Sequence, residues 1–275
     1  MASVFVLTNT KGGVGKSTSV VNCAYGMTLA LAQSNVPNKK VLIIDTDGQG
    51  HTTLLTTRSK PSDLGENSLG RVLMANRQDL LKILNDTVLV SEWHDNLHVL
   101  GGNEFLDTAE QQLIGVTGAP YRLANAVNEL APHYAAIFID TRPSFSLMTE
   151  MALIAGTDVI IPIEAKFLET VGLNRIIAKV TEVREGWPTT ALKVSGIVVT
   201  KFDKRARGQR EMLEQISGHP NYHNYMMGVI PMNESITYSH AQMQSVFDYD
   251  PTCAASHAYG EVVARMSKML FARSQ

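Results

Sequence analysis

Cysteine is scarce: the 275 residues hold two thiols, Cys23 and Cys253, far apart and outside any metal-ligand spacing. That excludes a disulfide framework and gives no sign of a zinc or iron–sulfur site. An excess of one charge is missing too. The 24 basic and 26 acidic side chains leave a formal net charge of −2 and a pI near 6.4. Overall charge therefore does not draw the chain to nucleic acid, and any such partner must be met by a local patch. Long hydrophobic runs are absent, and the N-terminal apolar stretch ends at Thr8, too short for a secretory signal or a membrane span. Internal repeats, low-complexity tracts and Gly-, Ser- or Pro-rich linkers are also lacking. Residues 1–275 are expected to form a single domain in the cytosol.

With 44% hydrophobic and 18% charged residues, the chain can bury a sizeable core. Short apolar runs at Val4–Leu7, Val41–Ile44, Ala135–Ile139, Val159–Ile163, Val194–Val199 and Val229–Ile230 read as buried strands. Between most of them lie segments of helical period, Thr18 to Leu31, Tyr121 to Leu130, Gly172 to Val183 and Gln209 to Ile216. That alternation predicts an α/β fold, a mostly parallel twisted sheet with helices on both faces. Residues 58–118 are more polar and less regular, and read as helical excursions with one strand near Leu97–Leu100.

Directly after the first strand comes Lys11-Gly12-Gly13-Val14-Gly15-Lys16-Ser17-Thr18, followed at once by a helix. Glycines let backbone N–H groups turn inward, and a helix start adds unpaired donors and partial positive charge, which suits a polyphosphate. Lys16 is placed to reach β- and γ-phosphates, and the Ser17 hydroxyl to ligate Mg²⁺. Two further strands deliver acids: Asp45-Thr46-Asp47-Gly48-Gln49-Gly50 follows the second, and Asp140-Thr141-Arg142-Pro143-Ser144 the third. Carboxylates at the C-terminal edge of a parallel sheet lie where such folds bind ligands. Asp47 reads equally as a turn former or a site residue.

In an arbitrary chain Lys11 is a solvated lysine at a loop entrance. Here the string K-G-G-x-G-K-[ST]-T resembles the deviant Walker A motif of the ParA/MinD class of P-loop ATPases. Asp45, Asp47 and Gln49 match the family's D-x-D-P-Q, Asp140 its Walker B acid, and Leu168 to Leu173 its helix after the second switch. Gly228 to Asn233 is similar to its I-P-x-N segment, and Phe247 to Pro251 with the last helix to its ending. The likeness spans nearly the whole chain but is weak between 58 and 118. It implies ATP and Mg²⁺ as ligands, and a homodimer formed on ATP binding, with Lys11 entering the partner's site. It also implies that the backbone of Gly12 to Gly15 with Lys16, Ser17 and Thr18 cradles phosphates, that Ser17 and Asp140 hold Mg²⁺, and that Asp45 orients water and joins the metal's outer shell. Lys201, Pro231 and Asn233 would line the base. Family members usually carry proline where Gly48 and Arg142 stand. Gly48 is expected to loosen the first switch; Arg142 is either a surface arginine paired to an acid or a contact for a partner.

Lys201, Lys204, Arg205, Arg207 and Arg210 face only Asp203 within ten residues. This is either the solvated start of a helix or, as in ParA-like proteins, a surface for non-specific DNA; DNA is expected, through Lys204, Arg205, Arg207 and Arg210. The last helix, with Val262, Val263, Met266, Met269, Leu270 and Phe271, is expected to pack on the sheet rather than lie on a membrane. Together these readings imply a partition ATPase, cytoplasmic and nucleoid-associated, working with a ParB-like centromere-binding adaptor to segregate a plasmid or chromosome. Because the chain begins at the first strand, no N-terminal DNA-reading extension is expected. A MinD-like membrane-positioning ATPase and a nucleotide-dependent scaffold for another cargo are the alternatives.

Overall fold

The computed structural model describes residues 2–36, 38–166, 169–187 and 191–273. Eight strands build one sheet: β1 Ser3–Leu7, β2 Val41–Asp45, β3 Val88–Ser91, β4 His94–Leu100, β5 Ala136–Asp140, β6 Asp158–Glu164, β7 Lys193–Phe202 and β8 Met226–Pro231, in the order β3-β4-β2-β5-β1-β6-β7-β8. Every neighbouring pair is parallel except β3 with β4, an antiparallel hairpin at one edge. All residues of β1, β2, β5 and β6 are buried. Strands covered on both faces need apolar side chains at nearly every position, which is why these four stand out as continuous hydrophobic runs.

Successive side chains on each strand feed opposite faces. Phe5, Leu7, Ile43 and Phe138 face one side, where helices α1 (Lys16–Ala32) and α12 (Ala254–Arg273) bring Val20, Ala24, Tyr259, Val262 and Met266. Val4, Val6, Ile44 and Ile139 face the other, covered in chain order by α3 (Leu69–Met74), α4 (Leu80–Thr87), α5 (Phe105–Leu113), α6 (Arg122–Leu130), α7 (Leu147–Ala155), α8 (Glu169–Gly186) and α9 (Arg207–Gly218). Short helices α2 (His51–Thr57), α10 (Glu234–Ala241) and α11 (Val246–Tyr249) complete the chain. Cys23 is core, its thiol pushed up to about 12 by burial.

The irregular region, residues 58–118, resolves into helices α3 to α5 and a two-stranded hairpin, in which β4 contains the expected strand near Leu97–Leu100 and β3 is additional. The unforeseen β3 is four residues long and one-sidedly exposed at the edge, so it carries neither a long apolar run nor full burial. The last helix packs as expected, with Val262, Val263, Met266 and Leu270 buried. Gly26 in α1 permits that approach, since a Cβ there would lie 2.8 Å from Val263 Cγ2. At the far end Arg273 donates to the fully buried Asp158 at 2.8 Å, pinning α12 to the start of β6. Of the Leu168 to Leu173 segment, Leu168 lies outside the described residues. Among the described residues no helix is long and apolar enough to cross a membrane.

Candidate active site

β1 stops at Leu7 and the chain turns through residues 8–15 before α1 begins at Lys16. The turn needs its glycines: Gly13 has φ 75° and Gly15, the residue preceding the helix, has φ 79°, a region open to glycine without strain. Nothing lies within 4 Å of a Cβ built on Gly12 or Gly13, so the space above the loop is open. No acidic side chain stands in the first turn of α1 and no side chain caps it. Its first N–H groups are thus available donors for an anion, aided by the helix dipole. Val14 is buried beneath the loop, and its carbonyl accepts from Thr200 Oγ1 at 2.8 Å.

Two ammonium groups grip this loop. Lys16 is buried, and its Nζ donates to the Lys11 carbonyl at 2.9 Å. Burial pushes its pKa below the usual lysine value, while Asp140 and Asp47 oppose that shift. Lys201 adopts a left-handed φ of 51° where β7 loses register with β8, and its Nζ donates to the Gly13 carbonyl at 2.6 Å. Strain of that kind in a non-glycine residue persists where surrounding structure enforces it. Lys11 itself lies exposed at the loop entrance, its amide held by Asn9 Oδ1 at 2.9 Å. Ser17 and Thr18 occupy the first turn of α1, both partly buried.

The strand ends bring the acids together. Asp45 on β2 and Asp140 on β5 are register partners, and Asp140 is also opposite Leu7 of β1, at the mouth of the loop. Asp45 is fully buried and accepts from Asp47 N at 3.1 Å, Thr53 N at 2.9 Å and Thr53 Oγ1 at 2.7 Å. Asp140 accepts from Thr52 Oγ1 at 2.7 Å through Oδ2, while its buried Oδ1 has no hydrogen-bond partner. Burial raises both carboxyl pKa values; the charge of Asp140 adds to the rise at Asp45, and the hydroxyls of Thr52 and Ser17 hold Asp140 partly down. A buried carboxylate oxygen without a donor, beside a serine hydroxyl, fits a hard divalent cation. Among the described residues no group of three or more His, Cys, Asp or Glu could hold a metal ion. Such a cation would therefore draw most of its ligands from phosphate and water, as Mg²⁺ does.

Asp47 serves its turn, accepting from Gln49 N at 3.1 Å, and its charge also reaches Lys16 and Asp140. Pro231, Asn233 and Lys201 meet Gly15, Thr18 and Tyr259 around a cavity of about 310 Å³. Asn233 Oδ1 is occupied there, capping α10 by accepting from Ser235 N at 2.8 Å. Arg142 is paired inside its own chain, to Asp107 at 2.9 Å and Glu110 at 3.1 Å, as the paired-arginine alternative expects. Lys204, Arg205, Arg207 and Arg210 surround the start of α9, where Lys204, Arg205, Arg207 and Arg210 are all exposed. The local charge excess is smaller than the sequence count, because Lys201 turns to the phosphate loop, Arg205 pairs with Asp203 at 3.1 Å and Arg207 with Glu211 at 2.6 Å. Arg210 donates to the Lys204 and Arg205 carbonyls. The residues that sequence reasoning missed are Thr52, Thr53 and Thr200, whose hydroxyls orient the acids and the loop. The one available signal was the Thr52-Thr53 pair beside the Asp45 segment.

The AAA domain family matches residues 2–194. Over 223 residues, 78% of this chain and 71% of the relative, the sequence is 30% identical to the chromosome partitioning protein ParA of Myxococcus xanthus. Over 269 residues, 96% of this chain and 98% of the relative, it is 28% identical to the chromosome-partitioning ATPase Soj of Treponema pallidum. A putative plasmid partition protein of Borrelia burgdorferi, solved with AMPPNP, superposes with a TM-score of 0.76 over 98% of this chain and 100% of that one. Its sequence is 22% identical, a likeness of fold alone. A loop of this construction, two acids paired across neighbouring strand ends, and relatives alike over most of their length point the same way: the chain belongs to the ParA/Soj family of P-loop partition ATPases.

Proposed function

We propose that this chain is an Mg²⁺-dependent ATPase that closes into a homodimer around ATP, binds DNA without reading sequence, and releases it on hydrolysis. The observation carrying the reading is the register pairing of Asp45 with Asp140 beside the loop that Lys16 spans. In the proposed cycle the N–H groups of Gly12 to Gly15 and the start of α1 receive the phosphates, and Lys16 exchanges the Lys11 carbonyl for a phosphate oxygen. Mg²⁺ would neutralise charge between the β- and γ-phosphates, and Ser17 with Asp140 Oδ1 would hold it. Asp45, whose burial makes it a stronger proton acceptor than an exposed carboxylate, orients the attacking water. Lys11 of the second subunit neutralises charge developing on the transferred phosphoryl group, which couples turnover to dimerisation.

Pro231, Asn233 and Lys201 enclose the base. Lys204, Arg205, Arg207 and Arg210 meet the DNA backbone, and a ParB-like adaptor stimulates hydrolysis, which puts the protein on the nucleoid in the cytoplasm. The membrane-positioning alternative is disfavoured because the apolar face of α12 is already buried against α1 and the sheet. Phosphate release with Mg²⁺-ATP tests the reading: wild type should turn over, Lys16→Ala should lose nucleotide binding, and Asp45→Ala should bind without turnover. Wild-type turnover persisting in Asp45→Ala contradicts it.

A further inference from the structure

The loops after β2 and β5 converge on one face of α5, the first through the backbone of Gly48 and the second through the Arg142 side chain. The Arg142 guanidinium spans two acids of that helix, Nη2 to Asp107 Oδ1 at 2.9 Å and Nη1 to Glu110 Oε2 at 3.1 Å. The other Glu110 oxygen accepts from Met148 N at 3.0 Å, so it caps the start of α7, where Ser146 makes no side-chain cap. On the β2 side, a Cβ at Gly48 would stand 3.3 Å from Asp107 Oδ1, so glycine leaves the carboxylate its place. The lead-in to α5 is jammed against the same turn, because a Cβ at Gly102 would fall 2.5 Å from the Asp45 carbonyl and 2.7 Å from that of Asp47. Arg142 is two residues past Asp140, and Asp45 and Asp47 are the acids of the facing turn.

We propose that Arg142, Asp107 and Glu110 form a strap that fixes the spacing between the two acid-bearing loops, with Arg142 and Glu110 acting as positioning residues for Asp140 and Asp45. An exposed ion pair would be too weak for this. The Arg142–Glu110 arm is different, because those side chains are only 17% and 14% exposed and water screens them little, whereas the Asp107 carboxylate of the other arm is 58% exposed. A planar guanidinium shared between two carboxylates also restricts orientation in a way a lysine does not. The buried Arg142 Nε has no partner, so the group stays where it is by bridging the two acids.

The kinetic consequence rests on the ATPase reading, whereas the structural one does not, and the experiment separates them. Amide exchange is followed in the nucleotide-free protein for wild type, Arg142→Gln, Glu110→Gln and Arg142→Lys. Exchange across residues 141–148 should quicken by about tenfold in both glutamine variants, with β1 and β6 unchanged, and less in the lysine variant. In phosphate release the glutamine variants should lose about tenfold in kcat, while affinity for a fluorescent ADP analogue stays within about twofold. The double glutamine variant should be no slower than the slower single one. Unaltered exchange, multiplicative losses in the double variant, or affinity falling in step with kcat overturns the strap. If wild type itself fails to release phosphate, the proposed function is wrong and exchange alone decides the strap. Should a glutamine variant not fold, Arg142→Lys carries the comparison.

Discussion

At the residue scale, two acids at one sheet edge set the site's energetics. Asp45 and Asp140 are buried and their folded pKa values lie above the ordinary carboxylate range, first because of burial. The folded chain therefore holds these protons more tightly than the unfolded one. The resulting stability is fully present below the ordinary carboxylate pKa and is lost as pH rises through the raised folded values. Asp45→Asn, which removes the charge and keeps one acceptor oxygen for the two Thr53 donors at the loss of the Asp47 N–H bond, should melt above wild type in nucleotide-free buffer at pH 7.5, by about 2–4 °C for each kcal/mol relieved. The gap should close as pH is lowered toward the ordinary carboxylate range, where wild type protonates. A thermal melt series over pH checks it; a gap that widens on acidification contradicts the burial argument. The Lys16, Ser17 and Asp45 types were legible because spacing within a few residues carries them. Thr53 and Glu110 were not, because their roles come from hydrogen bonds 8 and 38 residues apart in sequence that only the folded sheet creates.

At the element scale, the central strands were readable from hydrophobic runs, since burial on both faces forces that pattern. β4 was legible only at its apolar end, Leu97–Leu100, and β3 and the bounds of α5 were not, because an edge strand and a short amphipathic helix carry mixed polar sequence. Yet the lead-in to α5 is packed against the turn after β2 that carries Asp45 and Asp47. Gly102→Ala should cost about 1–3 kcal/mol by overpacking, because its Cβ would press on the carbonyls of Asp45 and Asp47. Melting temperature and turnover should fall together, and an alanine variant with wild-type melting would show that the turn yields freely. At the opposite end, Arg273→Ala should cost about 1–3 kcal/mol by stripping a donor from buried Asp158. Wild type should remain in the supernatant with anionic vesicles and ATP. Sedimentation with them would revive the membrane reading.

At the scale of the whole molecule, a chain of net charge −2 can bind DNA only through a local surface. The log–log salt dependence of ATP-dependent DNA binding should then be linear, with a slope of about −0.9 per phosphate neutralised. Replacing Arg205, Arg207 and Arg210 together by alanine should make that slope shallower, by about 0.9 for each phosphate left without its cation. An unchanged slope moves DNA to another face. The central claim is that two copies close around ATP, each completing the other's site with Lys11. Light scattering coupled to size exclusion, run with Mg²⁺ and either ADP or a non-hydrolysable ATP analogue, tests this most directly. The account predicts a mass near 30.1 kDa with ADP and twice that with the analogue, reverting to the single-chain mass in Lys11→Ala. A single-chain mass for wild type with saturating analogue would contradict it.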